Sequence, residues 1–144
     1  MNGHVDNIVE MAKAEGWKVN PSDANAIQKM GFESGTELIS PSGDLHITIL
    51  ESASEFFCDI GGYARLEYPR DHGNKPDTDK LILATLQNIF VEGVTVEIYR
   101  SKKDGHILRS KVLHGGEQNK RVIAKTVNRF GFFGGNKEML HLGA

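Results

Sequence analysis

The sequence predicts an α+β protein in which helices pack on an antiparallel sheet of about six short strands. Apolar residues recur every three or four positions near the N-terminus and again over residues 77–91, which is typical of amphipathic helices. Between these segments, and again after Gly93, apolar and polar residues alternate as they do on half-buried strands. Short turns rich in Gly and Pro join the strand-like segments, which favours antiparallel pairing.

The first element is a helix over residues 3–15. Its apolar residues keep helical spacing through Ala12, and Gly16 suits the left-handed position that follows a helix end. Residues 17–33 fit neither class clearly. One interpretation is a short second helix that ends at Gly31.

Four short strands follow the N-terminal region. We place them at residues 36–40, 45–51, 56–60 and 63–68. Pro41 and Gly43 favour a tight turn between the first two strands. Gly61 and Gly62 separate the last two and fit a two-residue hairpin turn, which needs positive φ. A bulge inside one long strand is the alternative interpretation.

The middle helix is predicted over residues 77–91, and Gly93 is placed to end it. Residues 94–100 and 106–113 then form the strongest strand signal of the chain. The loop between them ends in Asp104-Gly105, a dipeptide that favours chain reversal. We therefore expect a hairpin directly after the helix.

The C-terminal region is predicted to be a third helix over residues 117–130, and a strand over residues 121–127 is the alternative. Residues 131–144 mix Phe with Gly, and we expect this tail to be loosely ordered. The chain has 144 residues with no linker or repeat. One globular domain over residues 1–144 is therefore predicted.

Charge is unevenly distributed along the chain, although its net charge is only −2. Residues 1–99 contain 7 Lys and Arg against 16 Asp and Glu, a net charge of −9. Residues 100–144 contain 10 against 3, a net charge of +7. Because surface charge steers association, the two parts are expected to attract different partners.

Several classes of protein lack support in the sequence. No apolar stretch is long enough to span a membrane, and no secretory signal is visible, so we expect a cytoplasmic protein without a membrane partner. Cys58 is the single cysteine, which excludes an intramolecular disulfide, and its apolar neighbours indicate a small buried residue.

Catalytic chemistry is not indicated either. The six histidines show no helical zinc-site spacing, so we predict no metal and no cofactor. We also predict no catalytic residue and no enzyme. A hydrolytic site around His46, Asp71 and His72 is the weakest of the hypotheses that we retain.

The acidic part of the chain predicts a docking surface for a basic protein such as a toxin domain. Carboxylates on a rigid sheet would attract the partner, and aromatic side chains would anchor it. The candidate residues are Glu51, Glu55, Asp59 and Glu67, with Tyr63 and Tyr68 as anchors.

The basic segment over residues 100–130 supports the alternative, a nucleic-acid-binding module. Its cations are suited to neutralise phosphates, and the Phe residues beyond it are available to stack on bases. The candidate residues are Lys120, Arg121, Lys125 and Arg129.

Residues 7–48 resemble the start of the HicA-type messenger-RNA interferases. In that family a helix ends in Gly plus an aromatic residue, as in Gly16-Trp17, and a strand pair with a Pro-containing turn follows, as at Ile39–Gly43. The family's catalytic histidine follows a Gly-Ser pair, whereas Glu33–Thr36 contains no histidine. The resemblance implies a nucleic-acid partner without the family's catalytic residue.

The layout of the whole chain also resembles the small α+β immunity proteins that neutralise bacterial polymorphic toxins. The similarity is one of size, acidic surface and lack of a recognisable active site. It implies a bacterial, non-catalytic inhibitor, an immunity or antitoxin protein, that occludes its toxin through an acidic sheet surface.

Overall fold

Two antiparallel sheets and two long helices make up the part of the chain that the computed structural model describes, which is residues 2–21, 28–29, 31, 34–51, 55–69, 76–115, 122–127 and 135–143. The elements are α1 (Asn2–Ala14), β1 (Lys18–Pro21), β2 (Ser34–Ile39), β3 (His46–Glu51), β4 (Glu55–Ile60), β5 (Ala64–Pro69), α2 (Pro76–Glu92), β6 (Val94–Arg100), β7 (Ile107–His114), β8 (Val122–Val127) and β9 (Asn136–Leu142).

The five-stranded sheet is a meander in the order β1-β2-β3-β4-β5. Leu38 pairs with Ile47, and Ile47 pairs with Ile60 on the next strand. Because side chains alternate between the two faces of a strand, these residues share one face with Ile49 and Cys58. All five are almost completely buried, so this face of the sheet forms part of the core.

The four-stranded sheet has the order β8-β7-β6-β9, so the last strand returns to pair with β6 at the sheet's edge. Val96 pairs with Val112, and both are fully buried together with Val94 and Ile98. This sheet therefore also buries one face.

A single apolar core joins both sheets and both helices. Ile8 of α1 and Leu86 of α2 belong to the same buried cluster as the inner faces of the two sheets. The buried Trp17 indole donates a hydrogen bond from Nε1 to the Phe90 carbonyl at 3.1 Å, and the two rings meet edge to face at 5.1 Å between centroids. Trp17 thus fixes the end of α2 to the start of the first sheet.

A second tie connects the end of β9 to the turn before β3. The backbone N–H of Gly143 donates to Asp44 Oδ1 at 2.9 Å. Gly143 has φ +91, and a Cβ there would lie only 2.8 Å from the Cα of Gly93. Glycine is therefore needed both for the backbone conformation and for the close approach.

The structure confirms the α+β class and the antiparallel pairing. The N-terminal helix and the middle helix occur within one residue of the predicted bounds, as α1 and α2. The hairpin predicted after the middle helix is formed by β6 and β7.

The C-terminal helix predicted over residues 117–130 is wrong, because residues 122–127 form β8 and pair with β7. The strand alternative is correct for this segment. Four of its six residues are β-branched, which favours a strand over a helix. The spacing of Ile123 and Val127 suited either structure, and pairing with the neighbouring hairpin decided between them.

The expectation of about six strands in one sheet is also wrong, since nine strands form two sheets among the described residues. Strand β1 lies in the segment that the sequence left open. Strand β9 covers residues 136–142 of the tail that was expected to be loose. Leu140 and Leu142 pack against the core, which holds this part of the tail in place.

We expect Trp17→Phe to lower the free energy of unfolding by about 1–3 kcal/mol, because the buried Phe90 carbonyl loses its donor. Urea titration measures this change. The control is Val91→Ala, at a residue 41% exposed, which should change stability by less than about 0.5 kcal/mol. Equal effects of the two substitutions would contradict the role given to Trp17.

We expect Asp44→Ala to lower the stability of the fold in a pH-dependent way, because it removes the hydrogen bond between Asp44 and Gly143 at the end of β9. The pKa of Asp44 lies below its ordinary value of 3.8, because the Ser42 hydroxyl and the Gly143 N–H donate to the carboxylate. A lowered folded-state pKa stabilises the fold above the unfolded value, and this contribution is lost as pH falls through the folded pKa. Wild type should therefore be more stable than the variant at neutral pH, and this difference in the free energy of unfolding should disappear in acid. A constant gap in urea titrations across this range would refute the carboxylate's role.

Candidate functional site

Each sheet turns one face toward the core and the other face outward, and the outward faces carry the charge. We call the outer face of the five-stranded sheet, with Glu37, His46, Asp59 and Arg65, the carboxylate face. We call the outer face of the four-stranded sheet, with Tyr99, Arg109, Lys111 and Lys137, the cationic face. The described apolar contacts of α1 and α2 lie in the core on the other side of both faces.

The carboxylate face is built on a row of residues in register across four strands. Glu37 pairs with Thr48, Thr48 with Asp59, and Asp59 with Arg65. His46 Nδ1 lies 2.7 Å from Glu37 Oε1, and 51% of the histidine side chain is exposed. The row thus places two carboxylates on one face, on either side of Thr48.

A small apolar cluster lies beside this row. Leu50 and Phe57 pair across β3 and β4 and are 5% and 8% exposed, in a cluster separate from the main core. The Arg65 guanidinium lies 5.4 Å above the Phe57 ring, a cation–π contact. This contact holds one cation of the carboxylate face over the aromatic ring.

Glu51, the first of the predicted docking residues, does not share the carboxylate face. It is 7% exposed, and the Ser34 hydroxyl lies 3.4 Å from its Oε1 atom. The reason is the period of the strand, since Glu51 continues the inward positions of Ile47 and Ile49. The prediction that Glu51 lies on the surface used its charge alone and did not take this alternation into account.

The remaining predicted docking residues are only partly described. Asp59 lies on the carboxylate face, half-buried, and its Oδ2 atom accepts the N–H of Gly62 at 3.2 Å. In the sheet register, the backbone positions of Glu55 and Glu67 belong to the same face as Asp59. The structure does not describe the side chains of Glu55, Glu67 and Tyr68.

Tyr63, the other predicted anchor, lies in the turn between β4 and β5. It is half-buried and packs against the main core. Its carbonyl accepts a hydrogen bond from the Ser110 hydroxyl at 2.6 Å, which links the turn to β7. In this position Tyr63 contributes to the contact between the two sheets.

Charge on the carboxylate face is mixed among the described side chains. Glu37 and Asp59 are balanced there by Arg65 and by Lys18, whose position in β1 pairs with Ile39. The acidic excess expected from the sequence therefore depends on the positions of Glu55 and Glu67. Among the described side chains, the face carries two acidic residues, Glu37 and Asp59, and two basic residues, Lys18 and Arg65.

The cationic face brings together residues from β6, β7 and β9. The Arg109 guanidinium stacks on the Tyr99 ring at 3.9 Å from its centroid. Lys137 Nζ lies 3.4 Å from Glu97 Oε1, with 51% of the lysine side chain exposed. Lys111 pairs with Glu97 in the sheet register and has no ion-pair partner among the described side chains.

The predicted nucleic-acid residues overlap this face at one position. The backbone of Lys125 pairs with Lys111, at the β8 side of the sheet. Lys120, Arg121 and Arg129 lie outside the described residues. Sequence reasoning missed Lys137 as a member of this face, because the pairing of β9 with β6 is not visible in the local pattern.

Of the three residues predicted for a hydrolytic site, the structure describes His46. His46 contacts Glu37, and Asp71 and His72 lie outside the described residues. Within the described ranges, no three His, Cys, Asp or Glu side chains come together in a way that could hold a metal ion. No helix in this part of the chain is long and apolar enough to cross a membrane.

No family model, no curated protein and no solved structure matches this chain.

We expect Cys58 to resist alkylation in the folded protein. The thiol is fully buried, and burial together with the neighbouring Asp59 charge raises its pKa to about 12. Since the thiolate is the reactive form, iodoacetamide at about pH 8 should modify Cys58 only after unfolding in urea. Mass spectrometry measures the adduct, and Cys58→Ala with Lys102→Cys supplies an exposed control thiol. Rapid modification of native Cys58 would contradict this assignment.

Proposed function

We propose that this protein is a non-catalytic binding protein of the immunity or antitoxin kind, which neutralises a toxin by covering it with the carboxylate face. The partner in this proposal is a basic protein domain, and the encounter takes place in the cytoplasm of a bacterium. Inhibition follows from occlusion, so no group of this chain needs to react.

The observation that carries the proposal is the register of the five-stranded sheet. It gives four acidic positions, Glu37, Glu55, Asp59 and Glu67, to one outward face. A sheet held by a buried core keeps such positions fixed relative to one another. Fixed carboxylates steer a basic partner and penalise wrong partners, while apolar contacts supply most of the affinity.

The local contacts of the face also suit docking. Arg65 is held over Phe57, and His46 Nδ1 lies 2.7 Å from Glu37 Oε1, so both side chains are already oriented before a partner arrives. Side chains that are ordered in the free protein lose less conformational entropy on binding. In the proposed complex, Lys or Arg side chains of the partner approach the Glu37 and Asp59 carboxylates in addition to these contacts.

The test begins with capture of the partner from source cells on immobilised wild-type protein, followed by its identification. The purified partner is then titrated by calorimetry against wild type and against Glu37→Gln/Asp59→Asn. We expect at least about tenfold weaker binding by the variant, with a smaller dependence on salt, because two interfacial charges are lost. Expression of the partner should arrest growth, and wild type should restore growth better than the variant.

The matched control is Glu10→Gln/Glu15→Gln, which removes the same charge from exposed positions on and just after α1. This variant should bind and protect like wild type. Recovery of nucleic acid without any protein partner would overturn the proposal. Equal binding by the two double variants would exclude the carboxylate face as the docking surface.

A further inference from the structure

We infer that the cationic face is a second binding surface, and that its ligand is single-stranded nucleic acid. This inference goes beyond the proposed function, since it concerns the other sheet and a different class of partner. It rests on an aromatic residue, Tyr99, that lies between Arg109 and Lys137 in the sheet register, with Lys111 on the same outward face.

The spacing of the cations follows from the sheet. Arg109 and Lys111 are two residues apart on β7, so their Cα atoms lie roughly 6.6 Å from each other. Tyr99 pairs with both Arg109 and Lys137, which places Lys137 roughly 9.5 Å from Arg109, two strand spacings away. The cations thus form a band across the sheet, and the Lys125 backbone position extends it on the β8 side.

The Arg109–Tyr99 stack distinguishes this band from scattered solubilising charge. The Arg109 guanidinium lies over the Tyr99 ring, 3.9 Å from its centroid, so the cation and the ring are held together on this face. A guanidinium in this geometry can pair with a phosphate by two hydrogen bonds. The same stacked pair offers a flat surface to an unpaired base.

The charge on the face favours a polyanion. Among the described side chains, Glu97 is the acidic residue on this face, and it is 17% exposed and paired with Lys137. Lys111, two residues from Arg109 on the same strand, has no ion-pair partner among the described side chains. An acidic protein would also complement the charge, but it would not use a flat stacking surface between cations. Phosphates alternating with unpaired bases complement both features.

The test measures binding of a fluorescent single-stranded oligonucleotide of about 12 nucleotides by anisotropy. Wild type is compared with Lys111→Gln/Lys137→Gln and with Tyr99→Leu. We expect the lysine variant to bind about tenfold more weakly at about 50 mM salt, and the salt slope to fall by about 1.4, because two phosphate contacts are lost. Tyr99→Leu should weaken binding about tenfold while the salt slope changes little, since stacking is lost.

The matched control for charge is Lys13→Gln/Lys29→Gln, at exposed positions outside both sheets. It should bind like wild type. Lys111→Arg/Lys137→Arg retains the charge and should restore binding, which excludes misfolding as the cause of the loss. Thermal unfolding of every variant provides a second check on folding.

Three results would overturn the inference. The first is that wild type does not bind the oligonucleotide at about 50 mM salt. The second is that Lys13→Gln/Lys29→Gln weakens binding as much as Lys111→Gln/Lys137→Gln does. The third is that wild type binds polyglutamate as tightly as the oligonucleotide and Tyr99→Leu has no effect. The last result would assign the face to an acidic protein. Failure here is distinguishable from failure of the proposed function, because Lys111→Gln/Lys137→Gln should still bind the toxin and Glu37→Gln/Asp59→Asn should still bind the oligonucleotide.

Discussion

The shared apolar core is the constraint on which the rest of this structure depends. Both sheets bury one face in the same cluster, and α1 and α2 contribute apolar residues to it. Because the inner face of each sheet is occupied, a partner can meet a sheet at its outer face or at its edges. Side-chain alternation then decides which charged residues reach solvent and which, like Glu51, are drawn into the interior.

The charge asymmetry of the sequence becomes an arrangement in space through the order of the strands. The five-stranded sheet is built wholly from residues before 70, and the four-stranded sheet wholly from residues after 93. The basic part of the chain therefore supplies most of the cations of the cationic face, whereas the described side chains of the carboxylate face are balanced in charge. Ion pairs such as that of Lys137 with Glu97 reduce the difference in charge between the two outer faces without removing it. The carboxylates Glu37 and Asp59 and the stacked Arg109 lie on different sheets.

Prediction from sequence succeeded where local signals were sufficient. The spacing of α2 and the Asp104-Gly105 reversal of the β6–β7 hairpin each lie within one short segment. Prediction failed where long-range pairing decided the outcome. Residues 122–127 carry apolar spacing that suits a helix, yet the open edge of β7 provided hydrogen-bond partners for a strand. Lys137 could not be assigned to the cationic face before the return of β9 to β6 was known.

Native-state hydrogen exchange tests the central claim, one core for two sheets, most directly. The slowest amides of β3 and β4 and those of β6 and β7 should open with the same free energy and converge on one unfolding transition as denaturant is added. This result is expected because neither sheet can expose its inner face without exposing that of the other. Two distinct opening free energies, one for each sheet, would contradict the account, since each sheet would then hold its outer face independently.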